Sequence, residues 1–400
     1  MAMEVSYSFS LLPRDIFFQI VVRLGAKSRG KLSCVSKSFR SILTDPSFAE
    51  FQRNLSAALN HGTTILFSIR SMTGYHDSTG PLMFNSVPEQ FYTINYEENQ
   101  AGELLQAKIV RDTDKGWFQY GRSMSFAKDQ ICFFYKHSEL IVFNLITGKH
   151  TTLPTTPSSR GRSCALLGYD DVSGTYKVLK ADPSSNLRTV KYWVLTLGVD
   201  ETWREIESPV LFYLSRRFTN SVCIKGVVYF YNALHCRWGK YEHPFDGCYE
   251  LVAFDVRSES FHRITLPART HKYFEKASWV ELDGQFAFMY VNQNKQVIAW
   301  SMETSCWRKY AFPIPLEEGT PEADSLSFSK TFITATSTGE IALLMLQGTL
   351  SLWVLSDKFR AHRVWKEFRI RGLADLTTDI LETSEVVVAQ NIGGNLLHLE

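Results

Sequence analysis

His235, Cys236, His243 and Cys248 fall within one stretch, HCRWGKYEHPFDGC. Two imidazoles and two thiolates form a donor set for a tetrahedral zinc ion. Their spacing argues against that use, because His235 and Cys236 are adjacent and neighbouring side chains of an extended chain point to opposite faces. The stretch reads instead as an aromatic-rich loop, and no metal is assigned. Other chemical templates are missing. The chain has no G-x-x-x-x-G-K-[ST], no G-x-G-x-x-G after a strand, no H-E-x-x-H and no G-x-S-x-G. No catalytic residue and no cofactor are therefore expected.

Residue types suited to binding are easier to find. Arg237, Trp238 and Tyr241 lie in that same loop, and Arg, Trp and Tyr dominate protein-binding hot spots. Arg160 and Arg162 flank Gly161, and Pro313–Asp324 is acidic and proline-rich. Loops on a rigid scaffold commonly carry recognition, so these are candidate target contacts. Each also reads as a solvated connection.

These loops need elements to hold them. The 400 residues carry a net charge of +2, 44% hydrophobic and 14% aromatic residues. Near-neutral charge disfavours a dedicated nucleic-acid binder, and the aromatic content favours β-structure. The longest apolar runs, such as Ile341–Leu346, are too short to cross a bilayer. The seven cysteines are scattered without C-x-x-C spacing, which suggests free thiols in a reducing compartment. MAMEVSYSFS has neither the basic start nor the apolar core of a signal peptide. The expected location is the cytoplasm, the nucleus or both.

Residues 1–53 differ from the rest. Eight basic residues against four acids give +4, leaving −2 for the remainder. Pro13 suits the start of a helix. Ile16, Ile20 and Leu24 follow on one face, with Phe17 and Val21 beside them, and Gly25 suits a left-handed cap. A second helix is expected from about Arg29 to Leu43, with Leu32, Val35, Phe39 and Leu43 at helical spacing. Asp45-Pro46 signals a third start, continued by Phe48, Phe51 and Leu55. Three short helices bury too little to be stable alone, so part of the apolar stripe should face a partner.

The pattern Leu12-Pro13-x-Asp15-Ile16, Ile20, Leu24, Lys27-Ser28, Cys34-Val35-x-Lys37-Ser38-Phe39-Arg40, Ile42-Leu43, Asp45-Pro46-x-Phe48 resembles the F-box. That resemblance implies a three-helix module over 8–55 that binds a Skp-family adaptor and, through it, a cullin-RING ubiquitin ligase. The adaptor-binding residues it implies are Leu12, Pro13, Ile16, Ile20, Leu24, Leu32, Val35, Phe39 and Leu43. Departures from the family pattern are Phe39 where Trp is usual, Gly25 for a usual Pro, and Arg29-Gly30 at commonly apolar positions. They support an alternative reading, an interaction protein with a degenerate F-box outside any ligase.

From Gly62 the apolar period changes from 3.6 to 2, in runs such as Thr64–Ile69, Ile131–Tyr135 and Leu251–Asp255. Trp203–Pro209, Phe261–Pro267 and Trp307–Pro313 share a frame of aromatic, basic, any, large apolar, any, any, Pro. Gly148–Pro154 and Trp365–Arg371 are weaker copies, and 91–109 serves as a degenerate first one. Spacings of 46 to 58 residues between anchors suit four-stranded propeller blades. The expected fold is thus mixed: the helical module, then an all-β repeat domain over 62–400, a six-bladed propeller closed by pairing Glu385–Gln390 with Thr64–Ile69. Seven blades or an irregular sandwich are the competing architectures. The anchors Trp203, Phe261, Trp307 and Trp365 should be inter-blade core.

Gly168-Tyr169-Asp170-x-x-Ser173-Gly174-x-Tyr176-Lys177-Val178, Thr202-Trp203-Arg204, Gly226-Val227-Val228-Tyr229 and Phe254-Asp255-Val256 through Leu266-Pro267 resemble the F-box-associated domain of plant F-box proteins. The combination implies a non-catalytic receptor of an SCF-type E3 ubiquitin ligase. The helices would hold the ligase, and the β-domain would hold an unidentified protein target.

Overall fold

A computed structural model describes residues 13–22, 37, 40–41, 62–71, 90–97, 104–109, 122–135, 139–145, 149–156, 163–183, 189–208, 221–232, 250–268, 270, 273, 277–303, 306–314, 331–336, 339–347, 349–356, 364–373 and 384–391. The helix α1 spans Arg14–Val22. Lys37, Arg40 and Ser41 are helical and exposed. The remainder of the expected second helix and all of the third lie outside the described residues.

Twenty-five strands follow among the described residues. The first are β1 (Gly62–Ser71), β2 (Gln90–Glu97), β3 (Leu104–Gln106) and β4 (Lys108–Ile109). Next come β5 (Arg122–Ala127), β6 (Gln130–Tyr135), β7 (Glu139–Asn144) and β8 (His150–Thr152). Then β9 (Cys164–Asp170), β10 (Thr175–Pro183), β11 (Val190–Thr196) and β12 (Arg204–Ile206). A further group is β13 (Ser221–Ile224), β14 (Val227–Asn232), β15 (Glu250–Asp255) and β16 (Ser260–Ile264). After it run β17 (Ser278–Leu282), β18 (Gln285–Val291), β19 (Gln296–Glu303) and β20 (Cys306–Pro313). The last are β21 (Thr331–Ala335), β22 (Ile341–Gln347), β23 (Thr349–Ser356), β24 (Val364–Arg371) and β25 (Ser384–Asn391).

The described strands form six sheets in a β-propeller arrangement. Each of the second to fifth takes four consecutive strands, paired antiparallel in chain order. The first sheet has the order β25-β1-β2-β4, and the sixth is β21-β22-β23-β24-β3. Two strands therefore leave their local group. β25 pairs antiparallel with β1, Leu66 opposite Gln390, as the sequence led us to expect. The short β3 crosses to the sixth sheet and pairs parallel with β24, where Ala107 N donates to the Arg371 carbonyl at 2.7 Å. Its three residues carry no periodic signal, so the sequence did not reveal this crossing.

Sequence pattern and position in a sheet agree. The inner strand β9, CALLGYD, is buried throughout, whereas the outer β8, HTT, is exposed throughout. Polar outer strands guard the unpaired edges. The core is divided into clusters, each between two neighbouring sheets. Ile65, Phe67, Leu105, Leu352 and Phe368 join the sixth sheet to the first, and Leu66, Phe91, Phe126 and Phe133 join the first to the second. Val194, Phe230 and Phe254 fill the space between third and fourth. There a Cβ on Gly168 would meet Val256 and Val228 at 2.5 and 2.8 Å, so only glycine fits that approach. Near the axis, serine hydroxyls stitch the inner strands: Ser125 Oγ accepts from Leu167 N at 2.9 Å and lies 3.0 Å from Ser221 Oγ, and Ile333 N donates to Ser278 Oγ at 3.1 Å.

The repeated frame acquires a physical reason. Trp203 Nε1 donates to the Pro154 carbonyl at 2.6 Å, Trp307 Nε1 to Thr265 at 2.8 Å and Trp365 Nε1 to Pro313 at 2.7 Å. Each indole thus latches its sheet to the last strand region of the preceding one. Trp203 and Phe261 are buried, as core anchors should be. Trp307 and Trp365 are only half-buried, because a latch placed at the rim keeps one ring edge in solvent.

Candidate functional site

Helix α1 sorts its apolar residues onto two sides. Its first turn closes with Phe17 N donating to the Pro13 carbonyl at 3.0 Å, which suits a proline that has no N–H to satisfy. Phe17, Phe18 and Val21 are buried. Ile16 and Ile20, one turn apart, remain 42% and 44% exposed, beside an exposed Pro13. Three of the expected adaptor-binding residues therefore share a solvent-facing apolar side. Leu12, Leu24, Leu32, Val35, Phe39 and Leu43 lie outside the described residues.

Arg160, Arg162, Arg237, Trp238 and Tyr241 also lie outside them, as do His235, Cys236, His243 and Cys248. The structure does show where their segments attach. Residues 233–249 leave and return at a paired rung, Asn232 opposite Glu250, where Asn232 Nδ2 donates to Glu250 Oε2 at 3.1 Å. Residues 157–162 leave from buried Thr156, whose hydroxyl donates to Asp182 Oδ2 at 2.5 Å and accepts from Lys180 Nζ at 2.5 Å. Burial lowers the Lys180 pKa, and the Asp182 carboxylate 3.4 Å away works against that shift. The sequence signal for this buried pair is a lysine and an aspartate two apart in the apolar run VLKADP. Antiparallel alternation puts both roots at the end of the sheets where the inner strands begin. The opposite end carries tight turns such as Lys225-Gly226 and Asp283-Gly284, left-handed at both residues.

Catalytic arrangements do not emerge among the described residues. None of them forms a group of three or more His, Cys, Asp or Glu able to hold a metal. Burial pushes the Cys132 thiol up, and the Cys223 thiol up to about 11, so both stay protonated and unreactive near neutrality. Ser260 Oγ lies 3.3 Å from His262 Nε2, but Ser258 and Ser260 are engaged in a turn built on Asp255. The strongest ionic feature is structural. Glu259 in the fourth sheet receives Arg204 through two bonds of 2.8 Å and Lys177 at 2.7 Å, both from the third sheet.

The F-box associated beta propeller domain family matches residues 72–375, and the F-box domain family matches 9–51, which contains α1. The chain belongs to the F-box-associated beta propeller family. A putative F-box protein of Arabidopsis thaliana is 27% identical over 309 residues, covering 76% of this chain and 71% of its own length. An F-box protein of the same plant is 31% identical over 296 residues, covering 70% and 80%. Another putative one aligns over 374 residues at 26% identity, covering 92% and 88%. Among solved structures, Aleuria aurantia lectin overlaps with TM-score 0.39 at 10% identity, covering 71% of this chain and 91% of that one. AztD from Citrobacter koseri overlaps with TM-score 0.41 at 11% identity, covering 82% and 98%. These overlaps are too loose to bear on function. The F-box and the F-box-associated β-propeller are both present in this chain, the F-box first.

Proposed function

We propose that this F-box protein is the substrate-recognition subunit of an SCF-type ubiquitin ligase. The F-box, taken as 8–55, docks on a Skp-family adaptor and through it on a cullin-RING ligase. The β-domain, taken as 62–400 with one blade per sheet and six in all, holds a protein target. The observation that carries this reading is the exposed pair Ile16 and Ile20, on a helix whose Phe17, Phe18 and Val21 are buried. Covering those two half-exposed side chains contributes roughly 1 kcal/mol each, and the further implied contacts add to that. No catalytic group is required, because the subunit accelerates transfer by holding target and ubiquitin carrier together. A cytoplasmic or nuclear setting fits this role.

A pull-down with purified adaptor tests it, comparing full-length protein, a 56–400 truncation and an Ile16→Asp/Ile20→Asp variant. Retention by the full-length protein alone is expected. Equal retention of all three, or of none, overturns the receptor reading, and the latter outcome favours an interaction protein with a degenerate F-box.

A further inference from the structure

Chain direction distinguishes the two ends of the propeller. The inner strands β5, β9 and β13 are stitched together by Ser125, β17 is tied to β21 by Ser278, and β25 lies against β21. β25 therefore holds the inner place of the first sheet, and β1 holds the second place, as β6, β10, β14, β18 and β22 do in theirs. Each of those second strands starts where the inner strand turns back, at the tight-turn end. β1 does the same. Ile65, near its start, pairs antiparallel with Asn391, the last residue of β25. The chain thus enters the ring at the tight-turn end and finishes β25 there. Residues 8–55 precede that entry by the six residues 56–61. Six extended residues reach roughly 20 Å, whereas an eight-residue strand of the ring, such as β19, runs roughly 26 Å from end to end. So short a tether does not carry the F-box past the wall of strands.

We propose that the F-box stands at the tight-turn end of the propeller, so that this end faces the adaptor and the protein target is taken at the opposite end, where the inner strands begin. The tight-turn end suits a close neighbour, because two-residue turns such as Lys225-Gly226 and Asp283-Gly284 project little beyond the strands they join. An adaptor seated on Ile16 and Ile20 fills the space on that side, and a target held there would compete with it for room. The far end is turned away. The connections 72–89, 233–249 and 315–330 all join strands at that end, and recognition commonly uses chain lengths of this kind on a rigid scaffold. This inference rests on the reading of the chain as an adaptor-docked receptor, and it names the surface of the β-domain that the receptor role uses.

The test is Förster transfer within the full-length protein, with dyes on two orthogonal encoded residues. The acceptor replaces Lys37, which is helical, exposed and inside the F-box match. Donors are placed singly at exposed Lys149 or Glu139 in the second sheet and at exposed Cys306 or Asn294 in the fifth. Lys149 and Cys306 mark the tight-turn end, and Glu139 and Asn294 the far end. The third strands between them, β7 and β19, have six and eight residues, or roughly 20–26 Å. The second and fifth sheets lie on opposite sides of the ring, so a sideways displacement of the F-box does not favour one end in both. Transfer should be about twofold more efficient from Lys149 than from Glu139, and from Cys306 than from Asn294. Equal transfer from the two ends, a preference for the far end, or a preference in one sheet alone overturns the proposal. Coupling ubiquitin, a small folded protein, to the same encoded residues imitates a docked target. At Lys149 and Cys306 it should weaken retention on purified adaptor at least threefold, and at Glu139 and Asn294 it should leave retention unchanged. Equal retention at all four positions overturns the assignment of the target to the far end. A transfer difference in a protein that the adaptor never retains leaves the F-box at the tight-turn end and removes the ligase reading alone.

Discussion

Two turns at the same end of the propeller are built to one plan. In the third sheet, Asp170 accepts from Val172 N at 3.0 Å and from Ser173 Oγ at 2.6 Å, Ser173 meets Thr175 at 2.7 Å, and Gly174 N donates to the Asp170 carbonyl at 2.9 Å. In the fourth, Asp255 accepts from Ser258 N at 2.7 Å and Ser258 Oγ at 2.8 Å, Ser258 meets Ser260 at 2.8 Å, and Glu259 N donates to the Asp255 carbonyl at 2.8 Å. Both need a left-handed residue at the fifth place, with φ of 69° at Gly174 and 56° at Glu259. Glycine adopts that conformation freely, whereas a residue with a Cβ loses about 1 kcal/mol or more. The fourth sheet accepts that cost and gains a carboxylate aimed at Lys177 and Arg204. Its junction with the third sheet has Phe261 where neighbouring sheets have latching tryptophans. A phenyl ring has no N–H to donate, and the Glu259 clamp supplies the missing polar tie.

Glu259→Ala should break this comparison most severely. It keeps the strained backbone, removes both partners' carboxylate and leaves the mostly buried Lys177 ammonium unpaired. A loss of about 2 kcal/mol is expected, below the usual figure for a broken buried pair because Arg204 is 52% exposed and remains hydrated. Glu259→Gly removes the same pairs but relieves the left-handed strain, so it should lose about 1 kcal/mol less. Denaturant midpoints of the two variants decide the matter, and equal losses would mean that the turn stores no strain.

Much of the ring was legible because it rests on repetition. The apolar runs, the aromatic-to-proline frame and the pairing of β25 with β1 all follow from period and spacing, and each appears in the sheets. The Glu259 clamp was not legible, because Arg204 and Glu259 are far apart in sequence and a glutamate in a turn reads as a solvated charge. The role of the tryptophans was half legible: their spacing marked them as core, and their indole N–H bonds depend on carbonyls in the preceding sheet. On α1, helical period grouped Ile16, Ile20, Phe17 and Val21, but only packing separated the exposed pair from the buried one. The loop residues chosen from composition, Arg160, Arg162, Arg237, Trp238 and Tyr241, lie outside the described residues, whereas Leu104 and Arg369 meet through a three-residue crossing strand that has no pattern to detect.

Gly174→Ala probes the other half of the comparison. Tyr169 Oη, at 3.8 Å, is the atom within 4 Å that an added Cβ would meet, so there is room and the effect reports backbone strain alone. A loss of about 1 kcal/mol in an equilibrium melt is expected, and no loss would show that the turn relaxes.

The clamp also titrates. Burial pushes the Glu259 carboxyl up, but hydrogen bonds from Arg204 and Lys177 and their charges outweigh that and hold it below its ordinary value. A carboxyl lower in the folded than in the unfolded state contributes stability that is complete above its unfolded value, about 4.3, and lost as pH falls through the folded one. The gap in melting temperature between wild type and E259Q should therefore stay constant from neutral pH to about 5 and narrow below about 4.3. Asp170 in the third-sheet turn is also held low, its burial being outweighed by bonds from Ser173 and the Val172 and Ser173 amides. The difference between variants isolates Glu259 from this shared acid response.

The smallest effect belongs to Arg204→Ala. Its guanidinium makes two bonds of 2.8 Å to Glu259, and that hydrogen bonding raises its own pKa. Yet the side chain is half in water, where an exposed pair contributes below about 1 kcal/mol and salt screens it further. Lys177, largely buried and bonded to Oε1 of the carboxylate at 2.7 Å, keeps Glu259 paired when Arg204 is removed. The loss on Arg204→Ala should thus be small at low salt and nearly absent at 1 M sodium chloride, whereas the loss on Glu259→Ala should persist there. Equal salt dependence for the two would place the strength of the junction in the exposed arginine instead of the buried lysine, and the clamp would then be a surface pair and no substitute for an indole latch.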